Sequence, residues 1–181
     1  MTAKFWNELN DELQKGISEH GHPFRYATLG TIGLDKIARL RTVVIREVSH
    51  DQNIVFFTDK RSKKVTHIKE NPNVSLLLYH PEKLLQIRIE GLANIHVDEK
   101  TLSKYWNRIQ AKGKKDYTTK YAPGSTIKNP DEIEYLDEHH HFCMITIVPF
   151  KLEYLKLKRP NHIRVKFSKN EDLWVSEFLV P

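Results

Sequence analysis

RTVVIREVSHDQNIVFFTDKRSKK, residues Arg41 to Lys64, reads as strand, turn, strand and helix start in succession. Two β-branched and aromatic runs flank His50-Asp51-Gln52-Asn53, a cluster of turn formers, and that pattern predicts a β-hairpin. Ser62 stands at the N-cap position of a short helix whose apolar side is Val65 and Ile68. Asn71-Pro72 ends it.

Working outward, ATLGTIGL (Ala27–Leu34), NVSLLLY (Asn73–Tyr79) and LLQIRIEGLANIHV (Leu84–Val97) are further strands separated by polar turns. FCMITIVP (Phe142–Pro149), KLEYLKL (Lys151–Leu157), HIRVKF (His162–Phe167) and LWVSEFLV (Leu173–Val180) add four more near the C-terminus. Such close spacing predicts a mainly β fold with flanking helices, an antiparallel sheet or barrel rather than a wound α/β fold. Phe5, Leu9, Leu13 and Ile17 recur every fourth residue and predict an amphipathic helix over about 4–20, closed by Gly21 and Pro23. Asp98 is the expected N-cap of another helix reaching about Ala111, with Leu102, Tyr105, Trp106 and Ile109 as its buried stripe. Residues 112–140 are polar and too long for an ordinary connector, which predicts a functional loop. One domain over residues 1–181, without repeats, is the simplest account.

Hydrophobic residues make up 39% and charged residues 29% of the chain, as in ordinary globular proteins. No apolar run approaches bilayer length, and MTAKFWNELNDELQKG lacks the apolar core of a secretory signal. The expectation is a cytoplasmic protein with no membrane partner. The single cysteine, Cys143, lies between Phe142 and Met144 and reads as a small buried hydrophobe. The formal charge of +6 suits either nucleic acid or a localised site for a phosphorylated ligand.

Thr58-Asp59-Lys60-Arg61-Ser62-Lys63-Lys64 bears on that choice. Cations at a helix start repel one another and oppose the helix dipole. A bound dianion removes both problems, with hydroxyls from Thr58 and Ser62, a fork from Arg61 and point charges from Lys63 and Lys64. A solvated basic helix start and a nucleic-acid contact are the alternatives.

Four ordered stretches settle the ligand by resemblance: RTVVIR (Arg41–Arg46), VFFTDKRSKK (Val55–Lys64), IKENPNVSLL (Ile68–Leu77) and QIRIEG (Gln86–Gly91). The series resembles the pyridoxamine 5′-phosphate oxidase family of FMN-binding split barrels over about residues 25–97, and the last two C-terminal runs are similar to that family's ending. The resemblance implies FMN as cofactor and an antiparallel split β-barrel. It implies a homodimer with FMN at the interface and a small-molecule substrate. Arg41, Thr42, Val43, Val44, Ile45 and Arg46 would line the flavin, followed by Phe57 and Thr58. Lys63 and Lys64 would hold the phosphate beside Arg61 and Ser62, and Gln86 would bond near the ring. Ser125 and Arg164 are further candidates for the wall.

Taken alone, Gln86 is an amide in an apolar strand that needs a partner, either a flavin edge or a neighbouring backbone group. Arg41 and Arg46 are five apart, so an ideal strand points them to opposite faces; a bulge, or two different jobs, is expected. The resemblance also assigns substrate contacts to Tyr105, to Arg108 by a shift, and to His162, with Arg46 nearby. Pro160, Ile163 and Leu155 depart from the family's pattern for the substrate half.

His139-His140-His141 beside Cys143 invites a metal, but adjacent residues of an extended chain alternate sides and no second cluster follows. No metal is expected. Aromatic residues do not alternate with cations along a strand as an RNA-binding sheet requires, so no nucleic-acid partner is expected. Three readings remain: an FMN-dependent oxidoreductase acting on a small molecule, with vitamin B6 phosphates and O₂ as the candidate pair, a flavin-binding protein of the same fold without that activity, and a basic nucleic-acid-binding module.

Overall fold

A computed structural model describes residues 2–137, 139–171 and 173–181. Helix α1 (Ala3–Ser18) precedes β1 (Tyr26–Ile32), β2 (Ala38–Val48) and β3 (Ile54–Asp59). Helix α2 (Lys63–Glu70), β4 (Asn73–His80), β5 (Leu85–His96), α3 (Glu99–Trp106) and α4 (Ala111–Lys114) follow. The chain ends in β6 (Phe142–Lys156), β7 (Ile163–Asn170) and β8 (Leu173–Leu179). The strand order is β3-β2-β1-β4-β5-β6-β7-β8, all antiparallel, and a further β3–β6 pairing closes the first six strands into a barrel. Among the described residues, no helix is long and apolar enough to cross a membrane.

Directly opposed residues of an antiparallel ladder share a face, so register sorts the side chains. One inner row runs Arg41, Leu29, Leu76, Ile89, Leu152, Phe167. All but Arg41 are core residues. An outer row runs Thr42, Thr28, Leu77, Arg88, Glu153, Lys166, and a neighbouring one Tyr79, Gln86, Leu155, Arg164. Strand β2 carries the expected irregularity: Ile45 pairs with Phe56 and Glu47 with Val55, so Arg46 is the extra, bulged residue.

The two C-terminal strands expected at Phe142–Pro149 and Lys151–Leu157 are one strand, β6. Its first half pairs with β3 through residues 142–147 and its second half with β7 through residues 151–156. Pro149, which lacks a donor, falls where one partner has ended and the next has not begun, so the missing N–H breaks nothing there. Opposite it stands Gly91, where an added Cβ would come within 2.6 Å of the Val148 carbonyl oxygen.

Helix α1 fills the corner between the barrel and its β7–β8 extension, with Phe5 against Tyr154 and Trp6 against Trp174 and Phe167. The α3 helix starts as expected, Asp98 accepting from the Lys100 and Thr101 amides, but ends at Trp106 rather than near Ala111. Arg108 N–H to Tyr105 and Ile109 N–H to Trp106 bonds tighten its last turn into a three-residue repeat that does not continue. Its apolar stripe is partly rather than fully buried, packed on Val55, Tyr117, Phe142 and Met144.

Beneath α1, the buried Glu12 meets His22, His80, Lys15 and Lys83. His22 Nδ1 accepts from the Phe24 amide and His80 Nδ1 from the Lys83 amide. Each neutral ring therefore keeps its proton on Nε2, and both Nε2 atoms face Glu12 Oε2, at 3.3 and 4.0 Å. A metal would need those Nε2 lone pairs free; Glu12 Oε1 accepts from Lys83, while Oε2 faces the two rings without a hydrogen bond. Burial alone would raise the Glu12 pKa, but the Lys83 bond and the charges of Lys83 and Lys15 hold it below the ordinary glutamate value. A depressed folded-state pKa contributes stability above the unfolded value and loses it as pH falls through the folded one. Glu12→Gln is expected to lower unfolding free energy by about 1–3 kcal/mol near neutral pH, a gap that closes below about pH 4 in denaturant titrations. A gap that persists in acid would contradict the assignment.

Candidate functional site

Strand β3 delivers Thr58 to the start of α2, where Ser62 takes the N-cap position. The Ser62 hydroxyl does not cap the helix as a serine there ordinarily would. It lies 3.3 Å from the Thr58 hydroxyl instead, and Lys64 Nζ donates to Thr58 Oγ1 at 2.9 Å and reaches Ser62 Oγ at 3.4 Å. Both hydroxyl residues are buried. Arg41, at the end of the inner row, donates to the Leu29 carbonyl and to Thr31 Oγ1. Thr31 Oγ1 accepts that guanidinium proton and lies within hydrogen-bond distance of His67 Nδ1, 3.0 Å away. Burial, reinforced by the Arg41 charge, pushes the Lys64 ammonium below the ordinary lysine value and His67 below the ordinary histidine value. Among the described residues, no carboxylate lies within ion-pair distance of Arg41, Lys63 or Lys64, because Asp35 holds Arg39 and Asp59 holds Arg61.

That last pair revises the expected role of Arg61. Its guanidinium is forked onto Asp59 and donates to the Thr119, Lys120 and Tyr121 carbonyls. Arg61 fastens the 112–140 segment to the end of β3 instead of joining the hydroxyl cluster. Ser125, exposed in a turn of that segment, also stands apart from it.

The other expected residues divide between faces. Val43 and Ile45 are buried in the core, so only their backbone can reach a ligand. Thr42 and Val44 project outward. Gln86 is half-buried on the outer face, not in the core, and among the described residues its amide makes no hydrogen bond within the chain. Leu155 separates it from Arg164, whose guanidinium is paired with Glu153. Bulged Arg46 lies 5.6 Å from the Phe57 ring centroid, its Nε buried without a hydrogen-bond partner. Phe57 leads into an aromatic group with Tyr105, Phe142, Trp106 and Tyr117. Tyr105 donates to Glu47 at 2.9 Å, and Arg108 approaches the same carboxylate at 3.9 Å. Burial and that bond raise the Tyr105 pKa. His162 is exposed in the β6–β7 turn, accepting from the Lys158 amide. Cys143 is buried, its thiol pushed up to about 11 by desolvation, and is no nucleophile.

Residues outside the sequence expectation also contribute: Thr31 and His67 complete the Arg41 end, Glu47 holds Tyr105, and Glu153 holds Arg164. The donor set around Thr58 and Lys64 fits a phosphate: hydroxyls, an ammonium and a guanidinium with, among the described residues, no carboxylate in ion-pair contact with either cation. A flavin nucleotide phosphate would be held by Thr58, Ser62 and Lys64, with Lys63 and Arg41 beside them.

A family model described as pyridoxamine 5′-phosphate oxidase, FMN-binding domain, matches residues 3–97. The pyridoxine/pyridoxamine 5′-phosphate oxidase of Psychrobacter cryohalolentis is 38% identical over 92 residues, 50% of this chain but only 42% of that protein. The enzyme of the same name from Haemophilus influenzae is 29% identical over 157 residues, covering 78% of this chain and 72% of its own. A solved pyridoxamine 5′-phosphate oxidase-related, FMN-binding protein from Nostoc punctiforme has the same fold, with TM-score 0.79, 22% identity, and coverage of 97% of this chain and 96% of its own. PhzG from Burkholderia lata, solved with tetrahydrophenazine-1-carboxylic acid, does too, at TM-score 0.78, 19% identity, and coverage of 97% and 91%. With the split barrel and the family match over more than half of the chain, this protein belongs to the pyridoxamine 5′-phosphate oxidase FMN-binding domain family.

Proposed function

We propose that the protein is an FMN-dependent oxidoreductase acting on a small molecule as a homodimer, each flavin shared between two copies. The observation that carries this reading is the Lys64–Thr58–Ser62–Arg41 cluster, partly buried cations and hydroxyls with no carboxylate in contact. FMN would supply the redox chemistry. The chain's residues bind and orient. Lys63 and Lys64 neutralise the phosphate, Phe57 and Arg46 form a wall, and the outer-face residues Gln86 and Arg164 belong to the second copy. The exposed apolar side chains Tyr26, Leu40 and Tyr79 on that outer face suit burial against another copy.

Pyridoxamine or pyridoxine 5′-phosphate, with O₂ as acceptor, is the substrate pair suggested by the family and by the names of the relatives. One observation favours the second reading, a flavin protein with a different substrate: Tyr105 and Arg108 are both turned to Glu47, which places an acid where a substrate phosphate would need donors. Peroxide release on addition of pyridoxamine 5′-phosphate decides between them.

Purified protein is expected to be yellow or to take up FMN. Lys63→Ala combined with Lys64→Ala removes two charge-assisted contacts, a loss of about 3 kcal/mol or on the order of a hundredfold in FMN affinity. Flavin fluorescence quenching reads it, and unchanged affinity refutes the phosphate assignment. Arg61→Ala is expected to change FMN affinity by less than about threefold while speeding proteolysis near residues 119–121. A loss as large as that of the lysine variant would return Arg61 to the phosphate.

A further inference from the structure

The outer face carries an ionic network that the phosphate site does not use. Glu153 is only 3% exposed although it stands on the outward side of β6. Arg164 Nε and Nη2 both approach its Oε1, at 3.0 and 2.8 Å, and Arg88 Nη2 donates to its Oε2 at 2.8 Å. Arg88 Nε lies 3.4 Å from Glu90, and Lys151 donates to Glu90 at 2.9 Å. The chain of partners is therefore Lys151, Glu90, Arg88, Glu153, Arg164. Three cations face two carboxylates, and one positive charge is left over. The Arg88 Nε is in addition buried without a hydrogen bond.

Stability gives little reason for such an arrangement. Replacing a buried ion network by apolar side chains of similar size is often neutral or stabilising, and Leu77 and Leu155 already stand in the same two rows. What the network does achieve is placement. Arg164 is a long side chain with many rotamers, and Glu153 grips it by two nitrogens so that its direction is set. The row that contains Arg164 also contains Gln86, two strands or roughly 10 Å away, with only Leu155 between them.

Resting on the FMN reading proposed above, we infer that Glu153 is a positioning residue: it holds Arg164, with Arg88, so that a fixed positive charge stands on the face that carries Gln86, two strands away, for the flavin edge that becomes electron-rich on reduction. A preorganised cation there stabilises the reduced cofactor more than the oxidised one, because its orientation costs nothing at the moment the charge arrives.

The test uses the holoprotein and measures the midpoint potential of bound FMN, with the affinities for oxidised and reduced FMN. Two effects of Glu153→Gln have opposite signs. Loss of a nearby negative charge alone would favour the reduced cofactor and raise the potential. Loss of the grip on Arg164 weakens reduced FMN more than oxidised FMN and lowers it. The expected change is about tenfold in the ratio of the two affinities, a fall of about 30 mV for a two-electron couple. Arg164→Lys keeps the charge but cannot be gripped by two nitrogens, and is expected to lower the potential in the same direction. The double variant should fall no further than the worse single one, since both remove one unit. A higher or unchanged potential in Glu153→Gln, or additive losses in the double variant, overturns the inference. Should Glu153→Gln fail to fold, Arg164→Lys alone decides, and a potential equal to wild type overturns it. Wild-type protein that takes up no FMN refutes the FMN reading itself, and this inference with it.

Discussion

Lys64 and Arg41 share the end of the barrel without a carboxylate between them, and the site is organised around that uncompensated charge. A cation withdrawn from water must be repaid by donors' partners or by a counter-ion. Here Thr58 Oγ1 accepts from Lys64, while Thr31 Oγ1 and the Leu29 carbonyl accept from Arg41. These are neutral acceptors and leave the charges themselves unanswered. Asp59, the nearest acid in sequence, is bonded to Arg61 and eases the Lys64 charge only through space. One ion pair thus fastens residues 119–121 and keeps that acid out of contact with the neighbouring cluster.

The second constraint is geometric. The register sends Arg41 inward with the core and Gln86 and Arg164 outward with the sheet's other face. On the proposed FMN reading, a nucleotide phosphate at the barrel end and a ring recognised by Gln86 would engage different faces of the chain, and two copies would reconcile them, one supplying the phosphate residues and the other the outer-face row. The bulge at Arg46 turns its guanidinium over Phe57.

Much of this was legible in the sequence. Apolar residues at every fourth position, Phe5, Leu9, Leu13 and Ile17, announced α1, and the His50–Asn53 turn announced the β2–β3 hairpin. The grouping of Thr58, Ser62 and Lys64 was legible because the three lie within seven consecutive residues, while Arg61, in the same run, is bonded to Asp59 instead. What escaped depended on partners distant in the chain. Arg41 sits in the inner row only because Leu29 opposes it, Arg164 is gripped by Glu153, and Tyr105 is claimed by Glu47, 58 positions away. Gln86 was read as a core amide from its apolar flanks, although alternation alone places it opposite Ile87 and outward. Pro149 suggested a break in β6, since a proline's missing donor matters only if a neighbouring strand is there to accept it.

Mixing two defective chains tests the shared site most directly. One chain carries Lys63→Ala with Lys64→Ala, the other Gln86→Leu with Arg164→Met, and heterodimers are isolated and titrated with FMN. If phosphate and ring residues come from different copies, one of the two sites in each heterodimer contains only unaltered residues, and it binds FMN with wild-type affinity. If both come from the same chain, every site is damaged, and no wild-type affinity returns on mixing.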